Sequence, residues 1–223
     1  MEINTTTIIV LSLIFFVTIF GTRILDYIKT KELCPCLIKV PVTAATLTAM
    51  LMTYFFFNSS IDLIIWGPFV GLVMLGNFFV GSLSEKIKAF SVLGIISFIL
   101  SYIYSSVAIY FVYGLPTIFS AITVGVFFVV YIISTLYYLG INIKDVWQEY
   151  IYTLFLFTMI AFSANFKIGV PELIAVIIYS LSELFLQIIR INKNDFMDNG
   201  TEYDVTLIYL LGIVMFTIPK NIF

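Results

Sequence analysis

The chain has 223 residues, of which 61% are apolar and only 11% charged, with 11 Lys and Arg, 13 Asp and Glu and no histidine. Such a composition lies far outside the range of a soluble domain and describes a polytopic membrane protein. A net charge of −2 leaves no basis for nucleic-acid binding, and the missing histidine excludes Ser-His-Asp and Cys-His nucleophilic machinery.

Crossing roughly 30 Å of hydrocarbon takes about 20 apolar residues. In chain order, spans are expected at Thr6–Gly21, Lys39–Phe57, Ile61–Leu83, Lys88–Tyr110, Pro116–Tyr138, Gln148–Ala164, Ile168–Ile189 and Val205–Ile222. The expected fold is therefore all-α, an eight-transmembrane-helix bundle forming one domain over residues 1–223. The first span follows Glu2 with no cation before it and no small-residue cleavage site after it, so it is expected to be retained. Cytoplasmic loops collect Lys and Arg. One side of this chain holds Arg23, Lys29, Lys31, Lys39, Lys86, Lys88, Lys144, Arg190 and Lys193, and the other only Lys167 and Lys220. Both termini are accordingly expected on the non-cytoplasmic face of the cell membrane.

Cys34 and Cys36 flank Pro35 in the first loop. On the reducing, cytoplasmic side they read as ordinary thiols, and without imidazole no metal site is expected. The longest polar connection, Ile191–Tyr203, lacks calcium-loop spacing: counting from Asp195, Met197 stands third and Thr206 twelfth, where oxygen ligands and a Glu are needed. It reads as a solvated turn.

Helices three and seven each place their most polar pair seven residues before a cytoplasmic end, Gly76-Asn77 before Ser84 and Ser182-Glu183 before Arg190. This spacing suggests a parallel repeat of four plus four helices. On the seventh helix Glu172, Ser180, Glu183, Gln187 and Arg190 share one side, which cannot face lipid comfortably. Stripes of Gly94, Ser97, Ser101, Ser105 and Ala108 on the fourth helix, and Gly67, Gly71, Gly76 and Gly81 on the third, read as packing seams. Glu183 is different, because packing requires no ionisable group and a carboxyl deep in an apolar run marks a functional site by default. At a rise of about 1.5 Å per residue it lies roughly 10 Å inside Arg190, and Asn77 roughly 13 Å inside Lys86. Asn77, Ser101 and Glu183 are thus candidates to line one polar chamber.

In order, the chain also carries Lys39-Val40-Pro41, Gly76-Asn77, Gly94 with Phe98, Ser101 and Tyr104, Tyr152 with Met159, Ser182-Glu183, and Tyr209. This set resembles the YhhN-like membrane proteins, which include the lysoplasmalogenases, along most of the chain. The resemblance implies hydrolysis of the vinyl ether of a lysoplasmalogen, a lysophospholipid-type substrate drawn from the bilayer, to a fatty aldehyde and a glycerophospho compound. No cofactor is implied. Glu183 and Asn77 stand where the family has two Asp residues and are the expected catalytic positions; Ser101 stands where it has a His. Lys39, Ser101, Tyr104, Ser180, Gln187 and Tyr209 are the expected pocket.

An enol ether is hydrolysed by protonation on carbon and capture of the oxocarbenium ion by water, work suited to carboxyl acid and base groups. Glu keeps the proton chemistry of Asp, whereas Asn77 can orient water or a head group but cannot take a proton. Three readings stay open from the residues: a lysoplasmalogenase-like hydrolase, a homologue that binds amphiphiles or couples to protons, and a structural protein in which Glu183 only bonds Asn77 or Gln187. Tyr102, Tyr104, Tyr110 and Tyr113 are expected to be packing and interface anchors.

Overall fold

The computed structural model describes Thr46 and residues 60–80, 88–139, 143–164, 168–191 and 199–216. Apart from Thr46, the first two expected spans, together with Lys39, Cys34 and Cys36 and the bulk of the polar connection, lie outside the described residues. Six helices follow: α1 Ser60–Phe78, α2 Lys88–Tyr113, α3 Ile118–Leu139, α4 Ile143–Ser163, α5 Val170–Ile191 and α6 Asn199–Met215. They match the third to eighth expected spans, and the described residues contain no strand.

Several boundaries differ from those read off hydropathy. An apolar run marks only the part of a helix inside hydrocarbon, while the helix itself runs on into the polar boundary. Thus α4 begins at Ile143 rather than Gln148, and α6 begins at Asn199 rather than Val205, so the end of the expected solvated turn is helical. At the other end of the bundle α2 stops at Gly114, whose φ of 86° is the left-handed conformation that ends helices. The Gly114 N–H closes back on the Tyr110 carbonyl at 2.8 Å. Three residues on, the Thr117 side chain accepts the Ser120 N–H at 3.1 Å and caps α3.

Helix α1 packs along α2, α2 on α4, α4 on α5 and α5 on α6. Aromatic contacts close this series into a ring: Trp66 of α1 lies 4.4 Å from Phe216 just beyond α6, and Phe69 of α1 meets Tyr179 of α5 edge-on at 5.3 Å. The core of the ring is aromatic, with Trp66, Phe69, Tyr102, Tyr179 and Tyr209 fully enclosed. Helix α3 stands outside it against α4, tied by the Ser120 hydroxyl donating to the Ala161 carbonyl at 3.0 Å and by Thr135 and Tyr150 hydroxyls 3.0 Å apart.

Large apolar side chains cover the outside. Phe119, Ile122, Phe127 and Ile133 of α3, Leu93, Ile96, Leu100 and Val107 of α2, and Ile177, Leu181 and Phe185 of α5 are all exposed. Contiguous apolar surface of this extent suits lipid, not water. Among the described residues, three helical segments, Ala89–Tyr113, Ile118–Tyr137 and Glu172–Ile189, are long and apolar enough to cross a bilayer, and Leu63–Phe78 and Val205–Met215 are shorter apolar helices. The protein is a helical, membrane-embedded one.

Gly76 and Gly94 of the small-residue stripes form a seam. A methyl added to Gly76 would meet the Phe98 ring at 2.8 Å, and one added to Gly94 would meet the Gly76 carbonyl at 3.1 Å, so α1 and α2 approach closely there. The serines of α2 turn their hydroxyls onto their own helix: Ser97 donates to the Leu93 carbonyl, Ser101 to Phe98 and Ser105 to Tyr102.

Tyr104 takes a structural position. Pro68 inside α1 has no N–H, which strips the Ile64 carbonyl four residues earlier of its helical donor. The Tyr104 hydroxyl donates to that carbonyl. In hydrocarbon an orphaned carbonyl is costly, so Tyr104→Phe should lower stability by about 1–2 kcal/mol. In a Pro68→Ala background, where residue 68 regains its N–H, the same change should cost less than about half of that. Unfolding free energies of the four proteins check this; equal costs in both backgrounds would disprove the compensation.

Candidate functional site

Helix α5 carries the polar residues. Its first turn tolerates Pro171, since the N–H groups there have no intrahelical partner, and the Leu173 N–H bonds the Gly169 carbonyl at 3.1 Å. Glu172 lies buried in that turn, where the helix dipole favours an acid. Further along, Ser180, Glu183 and Gln187 are all at most 2% exposed, while Ile177, Leu181 and Phe185 face outward. The 3.6-residue period therefore sorts this helix into a polar inner side and an apolar outer side.

Glu183 accepts a hydrogen bond from the Tyr152 hydroxyl of α4, 2.7 Å from Oε1. The Tyr152 and Tyr102 hydroxyls lie 2.6 Å apart, and those of Tyr102 and Tyr179 3.1 Å apart. A hydroxyl has one hydrogen, so the direction of the whole chain follows from its end. Tyr152 gives its hydrogen to Glu183, Tyr102 gives its own to Tyr152, and Tyr179 gives its own to Tyr102. Three donors from α4, α2 and α5 are lined up behind one carboxyl oxygen.

One turn along, the Gln187 side chain meets α4 and α3: Oε1 lies 2.6 Å from the Thr153 hydroxyl and 3.3 Å from that of Tyr131. Thr153 also lies 2.7 Å from the Glu149 carbonyl and has one hydrogen to give. With that hydrogen on the carbonyl, the amide nitrogen is the better match for Thr153 and Tyr131. Among the described residues, Gln187 Nε2 and the Ser180 hydroxyl are buried without a hydrogen-bond partner.

Asn77 sits late in α1 and donates from Nδ2 to the Tyr209 hydroxyl of α6 at 3.1 Å. The Tyr209 ring lies 5.1 Å from the Tyr179 ring. Between Asn77 and Glu183 the structure thus places Tyr209, Tyr179, Tyr102 and Tyr152. Ser101 is fully buried in α2, with its hydroxyl bonded to its own backbone, and Tyr104 bonds α1. Glu183, Ser180 and Gln187 share a face, Tyr209 joins Asn77 to the aromatic core, and Lys39 lies outside the described residues.

No family model, curated protein or solved structure matches the chain.

Tyr102, Tyr179, Tyr131 and Thr153 were not among the site residues expected from the sequence, and Tyr152 entered only through the resemblance. A signal existed: a tyrosine far inside an apolar run must find a partner for its hydroxyl. Tyr102, Tyr152 and Tyr179 satisfy that requirement on one another and on Glu183. Chemically, the assembly can hold a proton on a carboxyl, stabilise the carboxylate once the proton has left, and present hydroxyls and an amide to a polar group nearby.

Proposed function

We propose that the protein is a YhhN-like membrane hydrolase in which Glu183 acts as acid and base on the vinyl ether of a lysoplasmalogen. The observation that carries this reading is a carboxyl 1% exposed inside a membrane bundle, with a tyrosine donor 2.7 Å from one oxygen. The Glu183 proton goes to the vinyl carbon next but one to the ether oxygen. Water captures the oxocarbenium ion, its proton returns to the Glu183 carboxylate, and the hemiacetal splits into aldehyde and glycerophospho alcohol. One carboxyl closes that cycle, with Asn77 orienting water or the head group. Charge alternation between loops supports the wider reading of eight spans with both termini on the non-cytoplasmic face of the cell membrane, and the matched spacing of Gly76-Asn77 and Ser182-Glu183 supports a parallel repeat of four plus four.

Aldehyde release from a lysoplasmalogen in liposomes tests the proposal. Asn77→Asp, which supplies a second carboxyl, should raise the rate by roughly tenfold, a modest share of what a positioned acid or base contributes. If neither the parent nor Asn77→Asp releases aldehyde, the hydrolase reading is lost.

A second reading rests on Asn77 itself, whose amide cannot exchange a proton as a carboxyl does. It is that of a catalytically degenerate homologue that binds an amphiphile or couples its movement to protons. Amphiphile flux driven by a pH gradient, and lost in Glu183→Gln, would favour it.

A further inference from the structure

The Glu183 carboxyl does not stand alone: its donor Tyr152 is bonded by Tyr102, and Tyr102 by Tyr179. We propose that Glu183, Tyr152, Tyr102 and Tyr179 form one hydrogen-bonded unit, in which Tyr152 positions the carboxyl and the two tyrosines behind it hold Tyr152 in line. This deepens the hydrolase reading by naming the groups that govern the acid, and it also holds for the proton-coupled alternative.

Geometry sets the order of effect. Tyr152 touches the carboxylate directly, 2.7 Å from Oε1. Tyr102 acts through Tyr152 at 2.6 Å, and Tyr179 acts through Tyr102 at 3.1 Å. A donor to a donor strengthens the bond to the carboxyl by polarisation, by a fraction of a bond per step. Each hydroxyl has a single hydrogen, already assigned along the chain, so the influence runs toward Glu183 and weakens with distance. Among the described residues, the other titratable groups around α5 are Glu149 and Tyr150 of α4, Tyr131 of α3 and Tyr209 of α6, with Glu172 on α5 itself; α1 contributes Phe69 and Asn77, neither of which titrates. None of these stands in the chain of hydroxyls from Tyr179 to Glu183. Tyr131 and Glu149 meet at the Gln187 node, and Tyr209 reaches the chain by a ring contact.

Infrared spectra of the purified protein in liposomes measure this directly, whatever the natural substrate. The Glu183 carboxyl band is the one lost in Glu183→Gln, and its frequency reports the hydrogen bond that the carboxyl accepts. Tyr152→Phe, which removes the direct donor, should shift that band the most, Tyr102→Phe by a fraction of that shift and Tyr179→Phe by less. Should Tyr152→Phe fail to fold, the order of the other two against the parent decides. Band positions identical to the parent's, or shifts without that order, would each overturn the unit. Ordered shifts without aldehyde release would keep the unit and discard the hydrolase reading, whereas aldehyde release without ordered shifts would do the reverse.

Discussion

Replacement of Glu183 by Gln should cut aldehyde release by about 10²–10⁴-fold, the usual contribution of a positioned acid or base. The substitution keeps the shape of the side chain and an oxygen that can accept from Tyr152, so the hydrogen bond seen at 2.7 Å has a successor. What disappears is the exchangeable proton. Protein yield and thermal stability in detergent should stay close to the parent's, since a neutral amide at a site 1% exposed carries less desolvation cost than a carboxylate. Glu183→Leu makes the contrast: it removes the acceptor as well, strands the Tyr152 hydroxyl in a dry interior, and should cost about 1–3 kcal/mol. Rate assays and melting curves on both variants separate a chemical role from a packing role. A Glu183→Gln protein that releases aldehyde at the parent's rate would end the case for Glu183 as the acid.

The largest effect on stability is expected at Gly212, where α6 lies against the backbone of α5. A methyl there would stand 2.6 Å from the Tyr179 nitrogen and 2.8 Å from its Cα. Backbone atoms cannot turn away as a flexible side chain can, so the helices must separate. Gly212→Val should destabilise the protein by about 3 kcal/mol or more, at the upper end of overpacking costs. Tyr179 would move with its helix, pulling its hydroxyl from Tyr102 and its ring from Tyr209. Gly125, on the outlying helix α3, is the control: nothing lies within 4 Å of an added methyl. Gly125→Ala should be neutral or stabilise by roughly 0.5–1 kcal/mol through better helix propensity. Unfolding in detergent–denaturant mixtures compares the two, and equal stabilities would show that the α5–α6 approach tolerates a side chain.

How far the site was legible depends on the kind of signal. Glu183 stands out in the sequence because a carboxyl in an apolar run violates a strong solvation preference, and the spacing of Ser180, Glu183 and Gln187 puts them on one helix side whatever they pack against. The same reasoning located six helices, with ends that differ where polar residues continue a helix past the hydrocarbon, as at Ile143 and Asn199. Tyr104 shows the opposite case. Its spacing from Gly94, Phe98 and Ser101 suggested a pocket residue, but its partner is a carbonyl orphaned by Pro68, about forty residues away in the chain, and only the packing of α2 on α1 makes them neighbours. Asn77 and Glu183, similar in depth along their helices, are connected through tyrosines of α6, α5, α2 and α4.

By itself, then, the sequence determined solvent, helix content and the polar side of α5, because these follow from transfer energies and from a period of 3.6 residues along one segment. Tertiary structure decided which hydroxyl meets which acceptor. That choice depends on the rotation and depth of helices far apart in the chain, on close approaches permitted at Gly94 and Gly212, and on the rule that every polar group drawn into the bundle must find its partner there.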